Sequence, residues 1–304
     1  MIRSLLRYLA GTRAANARFL FAAPLAYPPG HFYSPICNPH ELRRRYRDPR
    51  ESTLETHLPG IDLAPQAQLE LWQSWAAFLP GARALLTDTT SRRYRLPSSS
   101  YDVGDAIVYI CMLCHLQPAR LIEVGSGSSS AVALDAFDAF FPARPQCSFI
   151  EPYPSYLKSL LKNDDIHSIE IIETGVQDVE TNYFEKLQNS DILFIDSTHI
   201  VKTGSDVLYE IFEILPRLRP GVVVHFHDVF YPFEYPHEWV IERNYSWNEL
   251  YILRAFLTNN QDWEIMFFND YFARLERAQV ERDAPEMLAN PGGGLWLRRR
   301  AGGQ

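Results

Sequence analysis

The sequence has few cysteines, no excess of basic residues and no long apolar run. Four cysteines in 304 residues are too few for a disulfide scaffold and favour a reducing compartment: Cys37, Cys111, Cys114 and Cys147. With 29 basic and 37 acidic residues the net charge is −8, so a protein that binds nucleic acid by neutralising phosphates is not expected. No apolar run approaches about 18 residues, so no membrane-spanning helix is predicted. With 46% hydrophobic residues, we expect a globular cytoplasmic protein with a substantial core.

The first 40 residues contain no acidic side chain. Four arginines alternate with leucine and isoleucine there, a pattern typical of a basic amphipathic helix: Arg3, Arg7, Arg13 and Arg18. Three interpretations stay open, namely peripheral attachment to an anionic membrane or a membrane-bound partner, a targeting peptide, and a helix that packs on the body. We predict that residues 1–95 form an extension of helices and loops.

Beyond residue 104, apolar β-rich segments alternate with helical patterns. Five such segments are found at 120–125, 147–152, 169–173, 191–196 and 221–228, with helices predicted between them, including 178–188 and 207–218. This alternation predicts an α/β fold with a parallel sheet covered on both faces. Segments 263–268 and 294–299 are two further strands and candidates for an edge hairpin.

The turn after the first strand, EVGSGSSS (123–130), has the composition of a ligand-binding loop. Gly125 and Gly127 allow the backbone to approach a ligand, and in parallel sheets ligands bind beyond the carboxyl ends of strands. A dinucleotide site requires G-x-G-x-x-G, but Ser130 interrupts that pattern. The charge of Glu123 would repel a pyrophosphate and attract a cationic sulfonium or ammonium group. Glu151, which ends the second strand, is placed to accept hydrogen bonds from ribose hydroxyls.

The turn, Glu151 and the plan of seven strands together resemble those of class I S-adenosylmethionine (SAM)-dependent methyltransferases over residues 96–300. The segments 99–110, 194–199, 224–230 and 246–257 resemble a bacterial family within that class. The resemblance implies a Rossmann-like domain over 96–304, with seven mostly parallel strands and an antiparallel edge strand. It further implies that SAM is bound by Glu123, Gly125, Gly127, Ser129 (where the usual third glycine stands), Glu151, Asp178 and Asp196.

Two pairs of polar residues end neighbouring strands and are expected to converge: Asp196 with His199, and His227 with Asp228. They resemble sites in metal-dependent catechol and macrolide-sugar O-methyltransferases, which implies Asp196, His227 and Asp228 as metal ligands and His199 as general base. Histidine can accept a proton near neutral pH. His199 could instead be a hydrogen-bonding residue that orients its neighbours. His227 stands where the metal-dependent relatives usually have an acidic residue, which bears on whether a metal is bound. An imidazole there favours manganese, iron or zinc, or no metal, over magnesium.

These expectations imply a SAM-dependent O-methyltransferase whose acceptor is a hydroxyl on a sugar, glycan or glycosylated metabolite. The alternatives are a binding or scaffold protein without turnover and an NAD-dependent dehydrogenase. Residues expected to line the acceptor mouth are Tyr101, Asp102, Trp239, Arg243, Trp247, Asn248 and Glu249. His225 and the Cys111-x-x-Cys114-His115 pattern are interpreted as core residues and not as ligands.

Overall fold

The computed structural model describes residues 26–49, 54–87, 92–98 and 100–301. The arginine-rich segment that contains Arg3 to Arg18 lies outside these ranges. By its internal contacts the chain divides into two units. The smaller comprises Met1–Arg47 and His237–Ser246, and the larger comprises Asp48–Pro236 and Trp247–Gln304.

The smaller unit contains helix α1 (Pro39–Arg45) and a π-helical turn (Glu238–Glu242). Helix α1 begins after Asn38, whose side chain accepts a hydrogen bond from the backbone N–H of His40. The rings of Tyr46 and His237 meet edge to face, with centroids 5.8 Å apart.

The larger unit is built on a seven-stranded sheet in the order β3-β2-β1-β4-β5-β7-β6. Its strands are β1 (Arg120–Val124), β2 (Gln146–Ile150), β3 (Ile169–Ile172), β4 (Ile192–Ile195), β5 (Val223–Phe226), β6 (Trp263–Phe268) and β7 (Leu295–Arg299). Strands β1 to β5 are parallel, and β7 runs antiparallel to both β5 and β6. The predicted Rossmann-like α/β fold is confirmed, and its antiparallel strand lies one place in from the edge strand β6.

Helices precede and connect these strands. They are α2 (Pro65–Ser74), α3 (Leu79–Thr87), α4 (Val103–Leu116), α5 (Ser128–Phe140), α6 (Ser155–Leu160), α7 (Asp206–Tyr209), α8 (Glu249–Leu257), α9 (Asn269–Leu275) and α10 (Arg277–Asp283). The helix expected at 178–188 consists of two short 3-10 turns at 176–178 and 181–186. The helix expected at 207–218 is α7 followed by a π-helical turn at 210–214 and a 3-10 turn at 215–217. The last turn contains Pro216, and proline disrupts the regular α-helical hydrogen bonds. No helix in the described ranges is long and apolar enough to cross a membrane.

Helix α4 is buried along nearly its whole length and forms the centre of the core. Cys111 and Cys114 are buried within it, as the sequence predicted. Trp72 and Trp75 of the α2 region are fully buried against Phe267 of β6, with ring centroids 6.2 and 5.0 Å apart. Helices α2 and α3 precede residue 95 and pack in the same core as the sheet. The domain boundary near residue 95 stays a prediction.

A buried ionic cluster holds the segment that precedes α4. The guanidinium of Arg93 pairs with Asp135, Asp138 and Asp165 at 2.6–2.8 Å. The backbone N–H groups of Arg93 and Tyr94 donate to Asp135 Oδ2 at 2.9 and 3.0 Å. These bonds fix residues 93–94 against α5 and against the turn that precedes β3.

Candidate active site

The glycine turn brings the ends of β1, β2 and β4 into contact. Gly125 has a φ of +77°, and a Cβ atom there would lie 1.7 Å from the carbonyl oxygen of Asp196. Its N–H donates to Ile150 O at 3.0 Å, and Asp196 N donates to Val124 O at 2.9 Å. Glycine is therefore required at position 125 both for its backbone conformation and for the approach of β4.

Most of the residues predicted to bind the cofactor line one cavity of about 300 Å³ at this turn. Its lining includes Gly125, Gly127, Ser129, Glu151 and Asp196. Glu151 is held in place because it accepts hydrogen bonds from the N–H groups of Ser126 and Tyr153, at 3.3 and 2.8 Å. A larger cavity of about 760 Å³ lies beside β6 and contains none of the predicted site residues. We assign the site to the smaller cavity because the predicted polar groups converge there.

Glu123 lies beneath this cavity and does not belong to its lining. Its Oε1 accepts hydrogen bonds from Ser129 Oγ at 2.6 Å and from Ser130 Oγ at 2.9 Å. Burial raises the pKa of Glu123 to about 8, although the two serine hydroxyls lower it. Burial therefore favours the neutral form of Glu123, whereas the sequence led us to expect a charge there that would attract a cationic group. The structural role of Ser130 was missed by the sequence analysis.

Asp178 lies outside the lining of the cavity. It is exposed in the 3-10 turn after β3, where its carboxylate is 3.5 Å from Thr174 Oγ1. A contact between Asp178 and the adenine amino group stays a prediction.

The four predicted catalytic and metal-binding side chains converge. His199 Nε2 lies 3.4 Å from Asp196 Oδ1 and 3.5 Å from Asp228 Oδ2. His227 Nδ1 lies 3.4 Å from Asp196 Oδ1 and 3.6 Å from Asp228 Oδ1, without the geometry of a hydrogen bond. One ligand atom from each of Asp196, His227 and Asp228 lies within 4.8 Å of the other two. Two carboxylates and one imidazole form a donor set that suits manganese, iron or zinc.

Electrostatics within this group favour charged histidines and an ionised Asp196. Burial alone would lower the pKa of His199, but Asp196 and Glu249 hold it well above its ordinary value. The pKa of His227 is likewise raised, because Asp228, Asp196 and Asp105 outweigh burial. Burial would raise the pKa of Asp196, yet the two histidines keep it well below its usual range. Burial raises the pKa of Asp228 to about 6 despite the same histidines.

Several polar residues behind this group were missed or given another role by the sequence analysis. Glu249 lies 2.7 Å from His199 Nδ1 and is buried, although the sequence placed it at the acceptor mouth. Asp105 Oδ2 lies 3.5 Å from His227 Nε2, and Glu210 Oε2 accepts a hydrogen bond from Ser197 Oγ at 3.1 Å. Asp105 and Glu210 gave no signal because both lie within otherwise ordinary helical patterns.

The other residues expected at the acceptor mouth have varied positions. Tyr101 lines the same cavity as Glu151 and Asp196, with its ring 5.0 Å from that of His227. Asp102 caps α4 by accepting a hydrogen bond from Val103 N at 2.8 Å. Trp239 and Arg243 belong to the smaller unit, where Arg243 pairs with Glu238. A role for any of them in acceptor binding stays a prediction.

His225 lies in the core, as expected. Its ring packs between Phe194 and Trp296, with both centroid distances 4.3 Å. Neither ring nitrogen has a hydrogen-bond partner among the described residues, and burial lowers the pKa of His225 well below its ordinary value. The imidazole is therefore neutral and contributes to packing.

Comparison with known proteins identifies the class of enzyme. Residues 122–229, which include Glu123 and Asp228, match the family described as "Methyltransferase domain". An "Uncharacterized protein" of Archaeoglobus fulgidus is 32% identical over 169 residues, which are 55% of this chain and 76% of the archaeal protein. Residues 122–229 are therefore a methyltransferase domain, and the chain shares its family with that archaeal protein. The family match favours a methyltransferase over a dehydrogenase.

Solved structures of low identity also resemble the chain. The methyltransferase PaMTH1 of Podospora anserina, solved with S-adenosylhomocysteine bound, is 14% identical with a TM-score of 0.43. That alignment covers 82% of this chain and 100% of the fungal protein. The O-methyltransferase TomG of Streptomyces achromogenes, solved in complex with SAM, is 15% identical with a TM-score of 0.43. It aligns over 78% of this chain and 90% of its own.

Proposed function

We propose that the enzyme methylates a hydroxyl oxygen of a sugar, glycan or glycosylated metabolite, with His199 as the general base. The observation that carries the proposal is the position of Asp196. This residue lines the cofactor cavity and also lies 3.4 Å from both His199 Nε2 and His227 Nδ1. The cofactor cavity and the polar group of His199 and Asp228 therefore share a wall, as transfer between two bound molecules requires.

The cavity fits a cationic cofactor. Two acidic side chains, Glu151 and Asp196, line it, and the close approach at Gly125 leaves the turn without a side chain there. SAM supplies a methyl group activated by its positively charged sulfur. The negative charge of the lining favours that sulfonium, and we assign to Glu151 the role of accepting hydrogen bonds from the ribose.

His199 is placed to take the proton of the acceptor hydroxyl through Nε2. An alcohol is a weak nucleophile, so removal of its proton during transfer lowers the barrier. In the absence of added positive charge, Asp196 and Asp228 favour the protonated imidazole. Added positive charge at these two carboxylates would lower the pKa of His199 and leave Nε2 free to accept the proton.

The same carboxylates, together with His227, would hold a divalent cation. The fit rests on the grouping of three ligand atoms and on His227 Nδ1, which makes no hydrogen bond among the described residues. A cation there would lower the pKa of an acceptor hydroxyl. Manganese, iron and zinc are the ions that this donor set favours.

Calorimetric titration tests the cofactor first, with SAM and S-adenosylhomocysteine as ligands, NAD as a control, and a chelator in parallel samples. We expect SAM to bind and NAD to give no heat. A panel of glycosides, each paired with its deoxy analogue, then tests the acceptor by formation of S-adenosylhomocysteine. Turnover that persists with the deoxy analogue would contradict methylation at that hydroxyl.

His199→Ala tests the base, with Glu281→Gln on the exposed face of α10 as a matched control. Loss of a general base typically lowers turnover by about 10²–10⁴-fold. We expect that loss in His199→Ala, with unchanged affinity for SAM. Turnover within a factor of about three of wild type would refute the role of His199, because general-base catalysis contributes far more than that.

A further inference from the structure

The segment Trp247–Asn248–Glu249, here called the WNE segment, contacts His199 in three ways. The backbone N–H groups of Asn248 and Glu249 lie 3.1 and 3.3 Å from the carbonyl oxygen of His199. Glu249 Oε2 lies 2.7 Å from His199 Nδ1. The ring of Trp247 packs on the imidazole, with centroids 4.6 Å apart. The histidine is therefore held through its backbone, one ring nitrogen and one ring face.

Asn248 extends this hold to the neighbouring backbone. Its Oδ1 accepts a hydrogen bond from Val201 N at 2.5 Å, and its Nδ2 donates to Val201 O at 3.3 Å. Asparagine is a favoured N-cap residue, and Asn248 occupies that position in α8, but its side chain makes no capping bond. The amide is used to hold the loop of His199 instead.

The loop needs this support because His199 has a φ of +59°. The left-handed region costs a residue with a side chain roughly 1–2 kcal/mol. Strain of this kind persists where surrounding contacts over-determine the backbone. The contacts of the WNE segment supply that constraint.

We infer that Glu249 is the positioning residue of His199 and sets which ring nitrogen faces the acceptor. A carboxylate only accepts hydrogen bonds, so at 2.7 Å the hydrogen must lie on His199 Nδ1. Nε2 then faces Asp196 and Asp228 and is the nitrogen that exchanges its proton during the reaction. The catalytic part of this inference rests on the proposed role of His199 as base.

The burial of Glu249 argues for more than a packing role. The residue is 1% exposed, and its Oε1 has no hydrogen-bond partner among the described side chains. Burying a carboxylate costs several kcal/mol unless a partner compensates, and a neutral side chain would fill the space at lower cost. Partners that orient a functional histidine commonly change activity by about 10–100-fold when removed.

Proton NMR tests the contact without knowledge of the acceptor. The Nδ1 proton of His199 should give a downfield resonance that is absent from His199→Ala. In Glu249→Gln this resonance should move upfield and exchange with water roughly tenfold faster, because a charge-assisted hydrogen bond becomes a neutral one. Glu249→Asp should restore part of the shift, and Glu281→Gln should leave it unchanged.

Kinetics with an acceptor from the glycoside panel test the consequence. We expect kcat of Glu249→Gln to fall about 10–100-fold while the KM for SAM stays within about twofold. An unchanged Nδ1 resonance in a folded Glu249→Gln protein would overturn the inference. So would an unchanged kcat in that variant when His199→Ala is inactive. If His199→Ala stays active, the general-base proposal fails, and the NMR result alone decides the contact.

Discussion

Substitution of Glu123 by glutamine should make the protein more stable at alkaline pH than wild type. Glutamine has nearly the same shape and keeps an oxygen for the hydroxyls of Ser129 and Ser130. It has no proton to lose, whereas Glu123 is fully buried and must ionise as the pH rises. Removing that ionisation removes the cost of a buried charge.

The magnitude follows from the pKa of the carboxyl. Burial raises the pKa of Glu123 from an ordinary value of 4.5 to about 8. At 1.36 kcal/mol per pH unit, this difference corresponds to roughly 5 kcal/mol. Because the folded state holds the proton more tightly, the contribution is fully present below pH 4.5 and is lost as the pH rises towards 8. Between pH 6 and pH 8, the wild type should lose about 2 kcal/mol relative to the variant.

Urea unfolding at several pH values between 5 and 9 measures this difference. The gap in free energy of unfolding between Glu123→Gln and wild type should shift in favour of glutamine as the pH rises and level off above about pH 8. Glu281→Gln, with an exposed carboxyl, should show a gap independent of pH over that range. A gap independent of pH for Glu123→Gln as well would refute the argument that burial holds the proton on this carboxyl.

Three further outcomes are expected. Gly125→Ala should abolish SAM binding or folding, because the new Cβ would clash with Asp196. Gly204→Ala, at a φ of +75° with open space around it, should lower the free energy of unfolding by only about 1–2 kcal/mol. Equal effects of the two variants in calorimetry and urea unfolding would contradict the steric argument. Arg93→Met should lower the free energy of unfolding by about 3–5 kcal/mol, because it leaves buried carboxylates unpaired. The exposed Arg282→Met should change it by less than about 0.5 kcal/mol. In the native protein a thiol reagent should label Cys37 rapidly and the other three cysteines only after unfolding, since those three are buried; rapid labelling of a second thiol would contradict that burial.

The central part of the fold could be predicted from local sequence because its signals are local. Each strand is a short apolar run, and the glycines of the first turn mark where a backbone must approach another closely. Gly125 shows this, since its conformation and its contact with Asp196 both exclude a side chain. The convergence of Asp196, His199, His227 and Asp228 also followed, because parallel neighbouring strands end at the same edge of a sheet.

The short helices after β3 and β4 were less predictable. Residues 176–178 and 181–186 form 3-10 turns, and residues 210–214 form a π-helical turn, although the apolar pattern of these segments indicates ordinary helices. The periodicity of apolar residues differs little between these helix types over one or two turns. Packing against the rest of the chain decides among them.

The sequence by itself determined the order of strands and helices, the glycine turn and the polar residues at the strand ends. Only the tertiary structure decided that Glu249 contacts His199, since the two residues are 50 positions apart. It likewise placed Asp105 beside His227 and inserted β7 between β5 and β6. The tertiary structure also raised the pKa of Glu123, because that pKa depends on how completely the folded chain excludes water from the carboxyl. Spacing along a chain records local geometry, whereas these features depend on packing between distant segments.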